Sequence, residues 1–345
     1  MYRPSKKSKN VVRQSMRAIF VAVAMASITA CGGGGGNSSA ATTPAGPLSN
    51  LFVADGFSFA IASVVNANPS RGIVTLDRVI VGPNTGIFNN VRDFAIDAGA
   101  DRLYVANGTS ILVFNNAGTA NGDVSPARTI TSPFINDADS LFLDTASNTL
   151  YVGNSLGNIL AIPNASAASG SIVPDRLIHE ASVGTTITRD IFVDTTRDLL
   201  YVSRVTLTPS ANQILVFGNA STANSSNLTP SRTITLNPSV SMGSIFVDVV
   251  NDRLYVADTS FNTVRVLDNA SIVNGSVTAS RTINLTNIVP SQGLTLDTKN
   301  NRLYVLSHDA LQIINGADTA SGSTFATEVR VSNGNSSLSA VAVRP

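Results

Sequence analysis

Six pairs of consecutive residues carry the most varied polar chemistry in the sequence, and each pair stands just ahead of a similar apolar stretch. The pairs with charges come first in chain order, whereas the last three are small or uncharged. They are Arg92-Asp93, Asp139-Ser140, Arg189-Asp190, Gly243-Ser244, Gln292-Gly293 and Ser339-Ala340. Arg and Asp side chains brought to one place can bind a polar ligand, or they can pair with each other and bind none. The candidate ligand-binding residues are Arg92, Asp93, Asp139, Arg189, Asp190 and Gln292.

Groups suited to catalysis are scarce elsewhere in the chain. There are two glutamates, Glu180 and Glu328, and two histidines, His179 and His308, so the sequence does not assemble a histidine-based zinc site. The single cysteine stands near the N-terminus, in the predicted tether, so no sulfur nucleophile is expected in the folded body. We predict no catalytic residue and no required cofactor. An oxygen-ligated Ca²⁺ site stays open because Asp and Asn are abundant.

The elements that position these residues repeat along the chain. The stretch SIFVDVVNDRLYVAD, which begins at Ser244, reads as two short strands around a polar turn. Close variants begin at Asp93, Ser140, Asp190 and Gly293. The second strand of the pattern recurs every 47 to 54 residues, beginning at Leu51, Leu103, Leu150, Leu200, Leu254 and Leu303. Such periods are typical of β-propeller blades, each of which is a four-stranded sheet.

A loop of nearly constant length also recurs in every copy. It opens at Asn66, Asn116, Asn164, Asn219, Asn269 and Gly316, and a fourth strand starts 12 or 13 residues later. A loop that keeps its length so closely indicates a fixed turn geometry.

The phase of the repeats indicates a closed ring. The first copy begins with a second strand at Leu51, and the last copy ends with a first strand, AVAVRP, at Ala340. An open array would leave both as unpaired edges, whereas a ring lets the C-terminal strand complete the N-terminal blade. We therefore predict an all-β protein: a six-bladed β-propeller of four-stranded blades over residues 51–345.

The repeats SQGLTLDTKNNRLYV and GSIFVDVVNDRLYVAD resemble the NHL-type repeats of six-bladed propellers, and the resemblance covers roughly residues 51–345. The family includes lactonases, lyases and binding scaffolds, so the resemblance implies the fold more than the function. Metal-dependent lactonase propellers gather Glu, Asn and Asp around the central channel. Here neither glutamate stands on a predicted innermost strand.

An aspartate closes five of the first strands, and an arginine opens five of the fourth strands. The aspartates (Asp97, Asp144, Asp194, Asp248 and Asp297) are predicted to bond nearby main-chain N–H groups in turns. The arginines are Arg78, Arg128, Arg176, Arg232 and Arg281. In the last copy the signs are exchanged, giving Glu328 and then Arg344. One hypothesis is that each Arg pairs with the following Asp, and that Glu328–Arg344 is the structural pair that closes the ring.

The N-terminal segment resembles a bacterial lipoprotein signal. Six basic residues precede residue 18, and an apolar run from Ala18 to Ala30 leads directly to Cys31. The resemblance makes Cys31 the lipidation site; the alternative is an ordinary secretory signal in which Cys31 is incidental. Gly32 after the cysteine implies outer-membrane sorting. We divide the chain into a signal peptide (1–30), a Gly/Ser/Pro-rich tether (31–50) and the propeller (51–345).

Charge limits the class of partner. Without its basic first segment the chain has a formal net charge of −5 and a single lysine, Lys299, so nucleic acid is not expected as a partner. We expect an envelope lipoprotein, facing the periplasm or the cell surface, whose propeller binds a protein or polymer as a scaffold. The alternative is a lactonase-like, divalent-cation-dependent hydrolase or lyase with its site at the channel mouth. A mechanical or adhesive surface protein is a third reading.

Overall fold

The computed structural model describes residues 50–56, 58–65, 76–88, 91–180, 186–207, 210–285, 290–307, 310–323, 327–329 and 338–344. The side chains of several residues beside these gaps, among them Glu180, Gln292 and Glu328, lie outside the description. The predicted signal peptide, Cys31 and nearly all of the predicted tether also lie outside the described residues. None of the described helices is long and apolar enough to cross a membrane.

The described residues form 28 β-strands and a short 3₁₀ turn. The chain begins with β1 (Leu51–Asp55), β2 (Ala60–Val64), β3 (Arg78–Ile80), the 3₁₀ turn Pro83–Thr85, β4 (Phe94–Asp97), β5 (Arg102–Asn107), β6 (Ser110–Asn115) and β7 (Arg128–Thr131). It continues with β8 (Ala138–Asp144), β9 (Thr149–Asn154), β10 (Asn158–Ile162), β11 (Gly170–Ser171), β12 (Arg176–Glu180), β13 (Thr186–Asp194), β14 (Leu199–Leu207) and β15 (Ser210–Gly218). Next come β16 (Ser225–Leu228), β17 (Arg232–Leu236), β18 (Met242–Asp248), β19 (Arg253–Asp258), β20 (Thr263–Asp268), β21 (Gly275–Val277) and β22 (Arg281–Asn284). The last are β23 (Pro290–Asp297), β24 (Arg302–Ser307), β25 (Leu311–Asn315), β26 (Gly322–Ser323), β27 (Thr327–Val329) and β28 (Leu338–Val343).

Six antiparallel sheets form the blades of a ring, which confirms the predicted six-bladed β-propeller. Blade 1 has the order β28-β1-β2-β3, so the C-terminal strand is its innermost strand. Blades 2 to 6 have the orders β4-β5-β6-β7, β8-β9-β10-β12, β13-β14-β15-β17, β18-β19-β20-β22 and β23-β24-β25-β27. The predicted closure of the ring is thus present, with Leu51 opposite Val343 and Val53 opposite Val341.

Six apolar cores lie between neighbouring blades, because successive side chains of a strand point to opposite faces of its sheet. In β1, Leu51 and Val53 pack towards blade 6 with Tyr304, whereas Phe52 packs towards blade 2 with Leu103. The same alternation fills the four other interfaces. A strand buried on both faces has to be apolar throughout, and this is why LYV recurs in five copies and LFV stands in the first.

Four blades carry a fifth, short strand that comes from the next blade. This strand runs parallel to the outermost strand: β11 on β7, β16 on β12, β21 on β17 and β26 on β22. In blade 1 the isolated bridge between Ile80 and Gly122 takes the same place. Each donor segment belongs to the loop that follows the third strand, so the constant length of this loop serves the joining of blades.

The fixed turn geometry predicted for that loop is confirmed. Its first residue has a left-handed backbone in every described copy: Asn116, Asn164, Asn219, Asn269 and Gly316 have φ between 51° and 64°. Asn and Gly adopt this conformation at low cost.

The aspartates that close the first strands cap their own turns, as predicted. Asp97 accepts the N–H of Ala100 at 2.9 Å, and Asp194 accepts those of Thr196 and Arg197, both at 3.0 Å.

The hypothesis that each Arg pairs with the following Asp is wrong for four of the five pairs, from Arg128–Asp144 to Arg281–Asp297; in the remaining pair, Asp97 forms an ion pair with Arg102. Instead, Nη1 of Arg128, Arg176, Arg232 and Arg281 donates to two main-chain carbonyls in the loop of the next blade. The arginines do join blades, but they do so through carbonyl groups. Arg344 binds the carboxylate of Asp101. The side chain of Glu328 lies outside the described residues, so the predicted pair Glu328–Arg344 stays a prediction.

Candidate functional site

The innermost strands of all six blades line an axial channel. Its cavity of about 280 Å³ is lined by main-chain and apolar groups together with Asp93, Asp190, Ser244, Thr295 and Thr298. Part of the wall is aromatic: the rings of Phe142, Phe192 and Phe246, from blades 3, 4 and 5, meet edge to face with centroids 5.0 Å apart. We call the face of the ring where the innermost strands begin the rim face, and the other the opposite face.

The structure places Asp93 and Asp190 at the start of the channel, where each joins two blades. The two oxygens of Asp93 accept the N–H of Phe94 at 2.8 Å and that of Leu141, in blade 3, at 2.7 Å. Asp190 repeats the arrangement two blades further on: it accepts the N–H of Ile191 and that of Ile245, in blade 5, each at 2.8 Å. Both carboxylates are therefore occupied by main-chain donors.

The same surroundings raise the pKa of both carboxyl groups. Asp190 is 9% exposed, and burial raises its pKa to about 7 against hydrogen bonds from Ile245, Ile191 and Ser244. Asp93 is partly exposed and lines the channel. Burial raises the pKa of Asp93 well above its ordinary value, and the negative charge of Asp190 raises it further. Near neutral pH the site therefore favours a proton on this pair.

Arg92, Asp139 and Arg189 form a second group on blades 2 to 4. Arg92 lies 3.8 Å from the carboxylate of Asp139 and 3.7 Å from that of Asp137. Burial raises the pKa of Asp139 to about 6, and Arg92 and Arg189 oppose the rise. These candidates are thus brought together, in part by mutual Arg–Asp pairing. The side chain of Gln292 lies outside the described residues.

The other residues weighed for metal or proton chemistry do not join this group in the described part of the chain. Within the described ranges, no three His, Cys, Asp or Glu side chains converge as a metal site would need. Of the residues weighed for chemistry, His308 lies outside the description. His179 is opposite Asn158 in the outer strand pair β10–β12, away from the innermost strands.

The loops of the rim face are held by side chains at the ends of second strands. Asn107, which is fully buried, donates through Nδ2 to the carbonyl of Gly86 at 3.1 Å. Asn154, also buried, donates to the carbonyl of Phe134 at 3.0 Å. In blade 4, Ser203 donates to the carbonyl of Gly243 at 3.1 Å. Asn107 and Asn154 each hold the loop that enters their own blade, and Ser203 reaches the first strand of the next blade, so these loops are fixed rather than loosely connected.

These fixed loops expose large apolar side chains. On the rim face the most exposed of them are Phe59, Phe88, Phe134, Leu156 and Phe261, with 44% to 61% of their surface accessible. Four of the five follow one another on blades 1 to 3 and their connecting loops. We call these four, Phe59, Phe88, Phe134 and Leu156, the apolar arc.

Phe59 has an unusual backbone conformation. Of the twelve non-glycine residues with positive φ in the described ranges, eleven are Asn or Asp, and the other is Phe59, with φ 52°. In the hairpins of blades 5 and 3, the left-handed position is taken by Asn262 and Gly157. A bulky side chain there costs about 1–2 kcal/mol.

Sequence reasoning from polar residues missed the apolar arc. A signal was present, because these residues stand among turn-forming residues, as in DGFSF, TSPF and NSLGN, where polar side chains are the rule.

Comparisons with known proteins add no family to this picture. No protein-family model matches the chain, and no curated protein matches it in sequence. The resemblance to NHL repeats stays a prediction, whereas the six-bladed ring stands on the structure.

Proposed function

We propose that this protein is a binding or scaffold module, tethered to a membrane by a lipid on Cys31, whose rim face receives a macromolecular partner. The observation that carries the proposal is the apolar arc, exposed on loops that buried Asn side chains hold in place. Fixed, exposed aromatic side chains lose little conformational entropy on binding, and aromatic residues are enriched at protein interfaces.

The connection of the tether supports this assignment of faces. The propeller begins at Asn50, whose carbonyl accepts the N–H of Arg344 at 2.7 Å, so both ends of the ring domain lie on the opposite face. Residues 31–49 would attach there. A partner would then meet the rim face, on the other side of the ring from this attachment point.

The hydrolase or lyase alternative gains less support. Asp93 and Asp190 would be its natural channel groups, yet their oxygens hold main-chain N–H groups from two blades each. A cation bound by them would compete with these inter-blade bonds. No specific observation favours this second function.

Site-specific photo-crosslinking in cells tests the proposal. A photoreactive residue is placed at Phe88 or Phe134 in the apolar arc, and at Val250 or Ile272, which are 87% and 72% exposed on the opposite face, as matched controls. We expect both arc positions to yield the same defined adduct and the controls to yield none. Equal adducts from both faces, or none from the arc, would overturn the assignment. A carbohydrate smear in place of a discrete band would identify a polymer.

The anchor has a separate test. Cys31→Ser should abolish fatty-acid labelling, and the protein should become soluble or be held by its uncleaved signal. Wild-type protein that is entirely soluble and unlabelled would exclude the lipid anchor while leaving the rim-face proposal intact.

A further inference from the structure

We infer that Phe59 is the anchor residue of the rim-face contact and that the partner is a protein. The inference rests on the proposed function and adds a residue and a partner class to it.

The conformation of Phe59 points to a role outside folding. A strained residue persists when selection for another property outweighs its cost. Packing in the core does not supply that property, because 44% of Phe59 is exposed. Nor does the hairpin require an aromatic residue, since Asn262 and Gly157 take the left-handed position in blades 5 and 3. If the aromatic side chain of Phe59 contacts a partner, this contact accounts for both the exposure and the backbone strain of Phe59.

Contacts within the β1–β2 hairpin fix the position of Phe59. Ser58 donates to the carboxylate of Asp55 at 2.7 Å across the loop, and Asp55 is buried at the end of β1. The loop therefore starts from a fixed point, and Phe59 leads directly into β2 at Ala60. Binding energy at interfaces concentrates in a few such pre-organised aromatic residues.

Charge and composition identify the partner as a protein. The partly exposed rim-face charges are mixed, with Arg92, Arg189 and Arg265 beside Asp137 and Asp139, so the face offers no single-sign field to an anionic polymer. Sugar polymers stack on Trp and Tyr. The chain has no Trp, and the five described tyrosines are buried: Tyr104, Tyr151, Tyr201, Tyr255 and Tyr304. Exposed Phe and partly exposed Arg are among the residue types that are enriched at protein interfaces.

The test exploits the opposite effects that strain and binding predict for one substitution. Phe59→Asn should raise Tm by about 2–4 °C, because it removes the left-handed aromatic residue. The same variant should reduce the protein adduct from a photoreactive residue at Phe88 by about tenfold. Phe59→Gly, which also relieves the strain, provides a second variant with the same expectation.

The reciprocal variant is the matched control. Asn262→Phe places an aromatic residue at the left-handed position of blade 5, so it should lower Tm and leave the Phe88 adduct unchanged. A Phe88 adduct that survives Phe59→Asn would overturn the anchor role and leave the proposed function standing. A carbohydrate adduct would overturn the protein partner. If a photoreactive residue at position 88 or 134 gave no adduct in the protein that keeps Phe59, both the anchor role and the proposed function would be overturned.

Discussion

Arg344 binds the carboxylate of Asp101, and this pair joins the end of the C-terminal strand in blade 1 to the first turn of blade 2. Asp101 has a left-handed backbone, with φ 49°, and also accepts the N–H of Gly118 at 2.8 Å. Arg344 stands where the other innermost strands end in Asp. In blade 1, where the ring closes, the innermost strand is therefore followed by Arg instead of ending in Asp, and this Arg contacts the neighbouring blade.

A double-mutant cycle between Arg344 and Asp101 measures this contact. We expect Arg344→Gln and Asp101→Asn each to lower the free energy of unfolding by about 1–3 kcal/mol, because a charged hydrogen-bonded partner is lost from a largely buried pair. Asn keeps the acceptor for Gly118 and tolerates the left-handed backbone. The double variant should lose clearly less than the sum of the two. Coupling of Arg344 to Glu328 and none to Asp101 would instead favour the pair predicted from the sequence.

A contact of one Arg and one Tyr with two main-chain carbonyls repeats between the middle blades. Arg232 donates to the carbonyls of Ala270 and Val273 at 3.0 and 2.7 Å, and the hydroxyl of Tyr201 donates to the carbonyl of Ala270 at 3.0 Å. Arg176 with Tyr151, and Arg281 with Tyr255, make corresponding contacts. The recurrence of Arg and Tyr in these three copies thus serves the joining of one blade to the next.

Arg232→Gln should lower the free energy of unfolding by about 1–3 kcal/mol, because it removes the donor from two carbonyls at a blade interface. Arg253→Gln is the matched control. Among the described residues Arg253 pairs with the carboxylate of Asp268, which is 45% exposed, so its loss should cost about 0–1 kcal/mol. Chemical denaturation of the soluble propeller gives both values. If the two variants lost equal free energy of unfolding, the carbonyl contacts of Arg232 would stabilise the protein no more than the exposed ion pair of Arg253.

The ring could be predicted from the sequence because each blade repeats one apolar pattern and the copies differ in phase only at the two ends. The capping role of Asp97 and its counterparts was predictable for a similar reason, since their partners lie two or three residues away. The partners of Arg232 were not, because main-chain carbonyls 38 and 41 residues further on leave no mark on residue type.

At the candidate site, sequence spacing correctly gathered Arg92 and Asp139 but could not show what Asp93 and Asp190 bind. Their acceptors are used by N–H groups of Leu141 and Ile245, which any residue other than proline would supply. Residue spacing also did not single out Phe59, because its strain lies in the backbone conformation, which the sequence does not show.

Close packing beside the channel gives a third prediction, at Gly153. A Cβ atom on Gly153 would lie 2.4 Å from Oγ of Ser140 and 2.9 Å from Cγ2 of Thr188, so Gly153→Ala should cost about 1–3 kcal/mol of stability. Gly218→Ala is the control, because its Cβ atom would meet nothing within 4 Å. Adding Ser140→Ala should recover part of the loss. A Gly153→Ala protein as stable as Gly218→Ala would show that this interface is looser than described.

The channel carboxyls predict an unusual dependence of stability on pH. The folded protein raises the pKa of Asp190 to about 7, that of Asp139 to about 6 and that of Asp93 well above the ordinary 3.8. Between about pH 4 and pH 7 the unfolded chain has lost these protons while the folded chain retains them. By linkage, their contribution to stability is complete below the unfolded pKa and is lost as pH rises through the folded pKa. We therefore expect Tm to fall between pH 5 and pH 8, opposite to ordinary acid denaturation.

Asp190→Asn should flatten this dependence, because the group that titrates nearest to neutrality is gone. The variant also replaces one acceptor by an amide NH₂ facing a main-chain N–H, so it should be less stable at pH 5 by about 1–3 kcal/mol. The slope of Tm against pH is therefore the measurement, and not Tm at one pH. Asp318→Asn is the control: Asp318 is on the opposite face, and a hydrogen bond from Asn301 lowers its pKa, so it stays ionised throughout this range. If Tm rose from pH 5 to pH 8 in the wild type, or if Asp190→Asn kept the wild-type slope, the carboxyl pair would not hold its proton in the folded ring.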